Sequence, residues 1–386
     1  MPAFPVSPWR GVVLTGAKFA RSAPRAAECL SSACRRPLTS PCLAVPPWIR
    51  PVPSTGERFH GGSSTASPMQ PLPAQTDAQD LRVDPRLPLV FDAKTARSYG
   101  YSRGEINHLL RSTRWSAVRR GLYCETVRLN AMGDVGRHAA QVLAALQVAG
   151  PNAAASRWSA AVLHGLPAPR QVPNHVSLVA PTGVRRQRNG MSVAVAALPP
   201  SHIDGQVLRL TSIARTVVDV ARHASFIDAV MVADAALYRR LVSKEALYEM
   251  VEFQRQWPGV TQARNVVVFA DARAESPLES RSRVRMHEVG LPQPELQVEI
   301  LDPAGRFIGR ADFCWPRRRT LGEVDGKVKY ASGDPKILFD EKLREDALRD
   351  QGWELVRWTS AYVEGSFWAV EGRLRAAFAR GGRRHS

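Results

Sequence analysis

The spacing of apolar residues along the chain predicts three folded regions, each with its own periodicity. Residues 85–128 contain two short helical patterns followed by an alternating stretch, and residues 136–265 interleave helical patterns with short strands. Residues 272–380 have the pattern of helix, strand, strand, strand, helix, strand, helix. We therefore expect an α+β, multi-domain protein whose middle domain is mixed α/β.

The first region carries the start and stop signals of a helix-turn-helix unit. A first helix is expected over 92–100, and Ser102 with Glu105 forms a capping box that opens a second helix through about Arg111. Residues 115–124 then combine apolar side chains with a glycine, which suits a β-hairpin. The pattern predicts a winged helix-turn-helix over 85–128.

Such a module places polar and cationic side chains of its second helix against duplex DNA. Base edges and phosphates would be contacted by Arg103, Asn107, Arg111, Arg114, Arg119 and Arg120. His108 lies on the same helix. The competing interpretation is a small helical module whose basic face is solvated or contacts another protein.

The middle region, 136–265, predicts structure without evident chemistry. Helices are expected at 137–148 and 155–164, strands at 175–180, 191–196 and 206–210, and further helices from 211 to about 257. Arg215 and Asp219 are four residues apart and should pair along one helix. The histidines of this region lack a metal-ligand spacing, so we expect them to be ordinary core or surface residues.

In the last region, 272–380, the loop between two predicted strands decides which residues face each other. If residues 316–319 form the loop, the pairing that follows places Asp312 directly opposite Glu323. Asp325 shares a face with Glu323, because side chains along a strand alternate. Directly opposed like charges destabilise a sheet, so three carboxylates on one face need a counter-ion.

A hard divalent cation such as Mg²⁺ would relieve this crowding. It takes oxygen ligands and needs only one or two carboxylates besides water and substrate phosphate. Asp312 and Glu323 are the expected ligands, and a metal ion there would activate water at a phosphodiester. The alternatives are that these two acids form a solvent-facing pair, that Asp325 belongs to a turn, and that Glu279 only caps the helix that Ser276 begins.

Composition points to the class of partner. The 386 residues include 53 Lys+Arg and 35 Asp+Glu, a formal net charge of +18, of which residues 1–68 hold only +6. A basic excess in the folded part favours a polyanionic partner, most often nucleic acid. No apolar run is long enough to predict a membrane span. Five cysteines without a disulfide or zinc spacing fit a reducing compartment, the cytoplasm.

Residues 1–80 are expected to be a disordered tail rich in Pro, Ser and Arg. Thirteen of the 29 prolines lie within residues 1–73, and no hydrophobic period accompanies them. An organellar transit peptide fits this composition loosely. The preferred interpretation is that the protein starts at Met69 and that the preceding stretch carries no chemistry.

The acids of the last region also carry a resemblance to a known superfamily. The motifs are Glu279, Arg310-Ala-Asp312-Phe, Gly322-Glu-Val-Asp-Gly326 and the stretch from Arg344 to Arg357. Together they resemble the PD-(D/E)XK nucleases, in particular the branch similar to very-short-patch-repair endonucleases. The resemblance implies a restriction-endonuclease-like αβββαβα domain, with Asp312 and Glu323 as metal ligands supported by Glu279. Asp325 stands where a lysine is usual, so the activating group is Asp325 or Lys327.

Residues 85–265 resemble a second family, the AbiEi-like antitoxins of abortive-infection systems. The matching features are the module at 100–121, Ser159-Ala-Ala-Val-Leu-His-Gly165 and Thr211-Ser-Ile-Ala-Arg-Thr-Val-Val-Asp219. This resemblance implies a DNA-binding, autoregulatory N-terminal half, with a toxin protein as a candidate partner.

Two functions therefore compete for this chain. The first is a bacterial, Mg²⁺-dependent DNA endonuclease that an N-terminal module delivers to DNA, with another divalent cation as an alternative cofactor. The second is a non-catalytic DNA-binding antitoxin or transcriptional regulator that carries an inert nuclease-like domain. The oligomeric state is not predicted by either.

Overall fold

Three β-sheets with flanking helices make up the computed structural model, which describes residues 83–168, 172–188, 190–325 and 335–383. All of these residues belong to one compact unit. The α+β prediction is confirmed. Within the described ranges, no helix combines the length and the apolar character that a membrane span requires.

The first region has the helices and the hairpin that its sequence predicts. Its elements are β1 (Phe91–Asp92), α1 (Ala93–Ser98), α2 (Arg103–Arg111), β2 (Trp115–Arg119), β3 (Leu122–Glu125) and α3 (Thr126–Ala131). The capping box is present: Ser102 Oγ accepts the N–H of Glu105 at 3.2 Å, and the Glu105 carboxylate accepts the N–H of Ser102 at 2.7 Å. The strands form one sheet in the order β1-β3-β2, and Phe91 packs edge-on against Trp115 beneath α2.

The middle region contains the predicted helices and differs from its prediction in its short strands and in where its helices end. Its elements are α4 (Asp134–Ala149), β4 (Ala154–Ala155), α5 (Arg157–Leu163), β5 (Val176–Ala180), β6 (Arg186–Arg188), β7 (Met191–Val195), β8 (Ile203–Asp204), β9 (Leu210–Thr211), α6 (Ile213–Ala221), α7 (Phe226–Tyr238), α8 (Lys244–Phe253) and α9 (Val260–Phe269). Of the strand predicted at 206–210, only Leu210 lies in a strand, the short β9, because Gly205 turns the chain in a left-handed conformation and Val207 is exposed. The helices extend beyond residue 257, because Gly259, also left-handed, begins α9.

The predicted pair of Arg215 and Asp219 is confirmed, and it is buried. Arg215 Nε lies 2.8 Å from Asp219 Oδ2, and Arg222 Nη1 lies 3.3 Å from the other carboxylate oxygen. Both guanidinium groups lie over the ring of Trp257. One carboxylate and one indole ring therefore hold two buried cations, which gives this pair a structural role.

The last region follows the predicted order of elements. They are α10 (Pro277–Glu288), β10 (Glu295–Leu301), β11 (Phe307–Trp315), β12 (Thr320–Asp325), α11 (Pro335–Asp350), β13 (Glu354–Thr359), α12 (Ser360–Gly365) and α13 (Phe367–Arg383). The sheet has the order β10-β11-β12-β13, with only β12 and β13 parallel. The sequence pattern did not predict α12. Met286 of α10 and Val370 of α13 pack on one face of the sheet, and Leu348 of α11 packs on the other.

A buried ion pair anchors α10 to α7 of the middle region. Arg283 Nη1 lies 2.7 Å from Asp234 Oδ2, and the N–H of Asp271 donates to the other carboxylate oxygen at 2.8 Å. Burial raises the pKa of Asp234 to about 6 against the opposing effect of Arg283. Val284 of α10 also packs into the core of the middle region. The helix that carries Glu279 is thereby fixed to both regions.

The core of the last region closes around a glycine of β12. Gly322 faces Trp358 so closely that a Cβ there would lie 2.7 Å from Trp358 Cη2 and 3.2 Å from Trp315 Cζ3. The Trp358 ring stacks on Phe313, and its Nε1–H donates to Ser282 of α10 at 3.0 Å. A side chain larger than glycine at 322 would therefore overlap with closely packed rings.

We expect Gly322→Ala to destabilise the protein by about 1–3 kcal/mol, because the added methyl group overpacks a rigid aromatic core. The matched control is Gly372→Ala on α13, where no atom lies within 4 Å of the new Cβ. There the higher helix propensity of alanine should raise stability by up to ~1 kcal/mol. Urea denaturation of both variants measures the difference, and equal stabilities would contradict the packing argument.

Candidate functional site

Asp312 lies where β11 and β12 stop pairing. The predicted loop at 316–319 is present, and Trp315 pairs with Thr320, but the last backbone pair of the ladder is Phe313 with Gly322. Beyond it, Asp312 Oδ2 accepts the N–H of Val324 at 2.9 Å. The carboxylate of Asp312 therefore bonds the main chain beside Glu323. The predicted pair of carboxylates facing each other across the ladder is not what the structure shows.

A glutamine that the sequence analysis missed connects Asp312 to Glu279. Gln297 Nε2 lies 2.9 Å from Glu279 Oε2 and 3.5 Å from Asp312 Oδ1, so one amide group bridges two carboxylates. Glu279 is buried on α10, and its Oε2 also accepts the N–H of Glu275 at 3.0 Å. Ser276 Oγ accepts the N–H of Glu279, so the helix-capping contact exists together with the contact to the site.

The backbone around Gln297 explains why this side chain is not in a core. Gln297 has a φ of +55°, and Leu296 and Val298 on either side of it pack into different faces of the sheet. Residues two apart in a regular strand share a face, so β10 changes faces at this position. On β11, Ala311 packs into one core and Phe313 into the other, so this strand also changes faces at Asp312. Both polar side chains consequently lie between the two cores.

Glu323 has its charge offset within the protein. It is buried, and Arg344 Nη2 lies 2.8 Å and 2.9 Å from its two carboxylate oxygens. Arg357, which faces Glu323 across the parallel pair of β12 and β13, donates from Nε at 3.0 Å. Two guanidinium groups therefore offset the charge of Glu323 in the structure, where the sequence analysis expected a divalent cation to relieve the crowding of carboxylates.

Arg357 is held more firmly than Arg344. Its guanidinium lies 3.2 Å from Glu341 and 3.3 Å from Glu345 as well as next to Glu323. Burial alone would lower the pKa of Arg357, but the three carboxylates raise it. Arg344 instead crosses β11 at Gly309, where a Cβ would lie 3.0 Å from its Nη1 and 3.1 Å from its Cδ. A glycine at 309 is what lets Arg344 reach Glu323.

Of the two candidates for the group that activates water, the structure describes Asp325 but not Lys327. Asp325 is buried and is the last residue of β12, where regular alternation gives it the same face as Glu323. The alternative turn at Asp325 continues into residues outside the described ranges. Lys327 lies outside the described residues. The choice between Asp325 and Lys327 stays a prediction.

The side chains around Gln297 could hold a hard divalent cation only after its amide group turns, because Nε2 now donates to both carboxylates and Oε1 points away from them. In the described ranges, no three His, Cys, Asp or Glu side chains are close enough together to hold a metal ion. Glu279 and Asp312 nevertheless supply two carboxylates, and Gln297 Oε1 is buried without a hydrogen-bond partner among the described residues. Mg²⁺ needs only one or two carboxylates when water and phosphate complete its coordination. The set fits Mg²⁺ better than it fits a softer metal.

The residues predicted to contact DNA are brought together in part. Arg103, Asn107 and Arg111 are exposed at successive turns of α2, and Arg120 is exposed beside the turn of the hairpin. Arg114 and Arg119 are half-buried and have contacts of their own, and burial lowers the pKa of Arg119. His108 and Arg114 line a groove of about 700 Å³ between α2 and α3.

Three residues of the site were missed as functional residues: Gln297, Arg344 and Arg357. Gln297 and Asp312 stand at matching positions of β10 and β11, between two backbone pairs of this hairpin. The register of the hairpin was therefore the sequence signal that could have identified Gln297. Both arginines were within the quoted motif, but nothing in their spacing assigned them to Glu323. Their role depends on the parallel pairing of β13 and on the position of α11 over β11.

Comparison with other proteins gives a family but no activity. No protein-family model matches the chain. The uncharacterized proteins MT2308 and Rv2248 from two strains of Mycobacterium tuberculosis are each 33% identical to it over 244 residues, which is 62% of this chain and 84% of the relative. The chain belongs to the family of these mycobacterial proteins. Since the names of these relatives state no function, the chemistry of this family member is argued from its site.

We expect Gln297→Glu to destabilise the protein in a pH-dependent way, because it places a third carboxylate between Glu279 and Asp312. Neighbouring carboxylates raise the pKa of the new group in the folded state above its unfolded value of about 4.3. The folded state then binds more protons than the unfolded state, so this contribution to stability falls as pH rises from about 4 through the raised pKa.

Urea denaturation across a pH series measures this effect, and Gln297→Met serves as the uncharged control of similar length. The Glu variant should approach the Met variant in stability near pH 4 and lose about 1–3 kcal/mol relative to it near pH 7. A difference between the two variants that does not change with pH would contradict the bridging geometry.

Proposed function

We propose that this protein is a divalent-cation-dependent DNA endonuclease, with the last region hydrolysing a phosphodiester and the first region binding duplex DNA. The observation that carries the proposal is the convergence of Glu279, Gln297 and Asp312, from three separate elements, beside the buried Glu323. Buried acids held together at the end of a paired ladder are costly, and such costs are typical of functional sites.

The order of elements supports the same proposal. Helix, three antiparallel strands, helix and a parallel fourth strand follow the arrangement implied by the resemblance to the PD-(D/E)XK nucleases and to their very-short-patch-repair-like branch. The acids of the motifs lie on α10, β11 and β12, which are the elements the resemblance assigns to them.

Each side chain has a role in this proposal. Mg²⁺, or another divalent cation, would supply a nucleophilic water and stabilise the leaving oxygen when bound. Glu279 and Asp312 would hold the ion once the amide nitrogen of Gln297 turns away from them, and the N–H of Val324 fixes the Asp312 carboxylate. Asp325 or Lys327 would take the proton from water. Glu323 would join the ligands once its arginine contacts open.

The DNA-binding part of the proposal rests on α2 and on charge. The exposed Arg103, Asn107 and Arg111 form one stripe of α2, as side chains four residues apart on a helix do. A winged helix-turn-helix would place such a stripe in the major groove, with Arg120 beside the backbone. The net charge of +18 favours a polyanion, and we place the proposed reaction in the bacterial cytoplasm.

We expect the protein to cleave plasmid DNA with Mg²⁺, and we expect Asp312→Ala to abolish cleavage. Loss of a metal-holding carboxylate should cost more than the roughly 10- to 100-fold typical of residues behind the ligands. The matched control is Asp340→Ala, an exposed acid on α11 of the same region, which should cleave like the unaltered protein. Agarose gels that resolve nicked from supercoiled plasmid measure the rates.

A second function is favoured by one observation, the two arginines that neutralise Glu323. In a regulator whose nuclease-like domain is inert, these ion pairs would be permanent, and the chain would be an AbiEi-like, DNA-binding antitoxin with a toxin protein as partner. Absence of cleavage with Mg²⁺, Mn²⁺ and Ca²⁺ alike would favour this function and reject the endonuclease.

We also expect Arg103→Ala and Arg111→Ala each to weaken DNA binding with a signature in salt. Each phosphate contact contributes about −0.9 to the slope of log K against log salt, so each variant should reduce that slope by about one contact. Arg137→Ala is the control, because Arg137 is an exposed arginine of α4 paired with Asp134. Fluorescence anisotropy over a salt series measures the slopes, and unchanged slopes would exclude α2 as the phosphate-contacting element.

A further inference from the structure

Among the described residues, two arginines pair with Glu323, and Arg344 has fewer ion pairs than Arg357. Arg357 has three glutamates, and Arg349 pairs with Glu345 at 2.5 Å. The ion pair described for Arg344 is with Glu323 alone, and its side chain is about one-quarter exposed. Arg344 is therefore the guanidinium that can leave Glu323 without separating other ion pairs.

We infer that Arg344 is a phosphate-positioning residue: it pairs with Glu323 in the free protein and turns to a DNA phosphate when a divalent cation takes Glu323. This inference rests on the proposed endonuclease function and deepens it. It assigns Arg344 a role that depends on the cation, which a purely structural ion pair would not have.

Competition for one carboxylate is the physical basis of this exchange. A guanidinium and a divalent cation on the same carboxylate lie within about 4 Å of each other and repel strongly where water is partly excluded. When the cation binds, one of the two arginines has to move. Arg357 is retained by Glu341 and Glu345, so the repulsion acts on Arg344.

Geometry gives the released guanidinium a destination. A phosphate bound to the same cation would lie within one side chain's length of Glu323. Arg344 already reaches Glu323 by crossing β11 at Gly309, so such a phosphate would be within its reach. The planar fork of arginine bonds phosphate oxygens in pairs, as it does a carboxylate. Exchanging one anion for another that also accepts two N–H bonds keeps the charge of Arg344 compensated.

The first test measures DNA binding against salt for the unaltered protein and for Arg344→Ala, with and without Ca²⁺ at a fixed concentration. Ca²⁺ takes the same kind of oxygen ligands as Mg²⁺, and a denaturing gel verifies that the duplex stays intact. We expect Arg344→Ala to reduce the slope by about 0.9, one phosphate contact, only when Ca²⁺ is present. Arg344→Lys, which keeps the charge, should retain most of the slope.

Two further variants make the first test specific. Arg349→Ala removes an exposed arginine from the same helix and should leave both slopes unchanged. Glu323→Gln removes the carboxylate for which Arg344 and the cation compete, so Arg344 should contact phosphate even without Ca²⁺. In that background, adding Arg344→Ala should lower the slope by about 0.9 in the absence of the cation.

The second test needs no DNA and follows Ca²⁺ binding by thermal unfolding. If Arg344 competes with the cation, Arg344→Ala should bind Ca²⁺ roughly 1.5- to fivefold more tightly than the unaltered protein, the range expected for loss of a partly exposed ion pair. Arg349→Ala should not change the affinity. Equal or weaker Ca²⁺ binding by Arg344→Ala overturns the inference.

The outcomes separate this inference from the proposed function. Cleavage that depends on Asp312, together with a slope that Arg344→Ala changes equally with and without Ca²⁺, leaves the endonuclease standing and rejects the exchange. A slope that Arg344→Ala never changes also rejects it. Tighter Ca²⁺ binding by Arg344→Ala without any cleavage by the unaltered protein supports the competition at Glu323 and rejects the endonuclease.

Discussion

The hydrogen bond from the N–H of Val324 to Asp312 is the contact on which the arrangement of acids depends. Because a side chain replaces the backbone pair at this position, β11 and β12 part, and the polar groups between them escape both cores. Gln297, in a left-handed conformation on the next strand, extends the same break to β10. A regular three-stranded ladder would have paired these residues with each other and given Asp312 and Glu323 a common face.

The acids also need a rigid frame, because a buried carboxylate is tolerated only where its partners stay in place. Glu279 is fixed by α10, which the buried pair of Arg283 and Asp234 fastens to the middle region and which Trp358 reaches through Ser282. The middle region therefore supports the site, although its own sequence shows no catalytic pattern. This also explains why its conspicuous pair, Arg215 and Asp219, is a core contact.

The sequence predicted much of the fold because its signals are local. Caps such as Ser102 with Glu105, the glycine that closes the hairpin, and the loop before Thr320 act within a few residues, so each element follows from its own residues. The strand expected at 206–210 overlaps the observed strand only at Leu210, because alternation alone does not show which face is buried. Gln297, Arg344 and Arg357 were missed because their partners lie far along the chain, on elements whose mutual position no local pattern contains.

The basic excess of the protein explains why the surroundings of Glu323 are compatible with both functions. In a protein with a large basic excess, a buried glutamate is easily satisfied by arginine, so neutralisation by Arg344 and Arg357 is expected whether or not a cation ever binds. The difference lies in how many carboxylates each arginine has. A permanent structural pair would be as redundant as that of Arg357, yet among the described residues Arg344 forms an ion pair with Glu323 alone and reaches it over a glycine. An arginine that has one carboxylate partner and is about one-quarter exposed can exchange that partner, which is why we favour the catalytic function over the inert one.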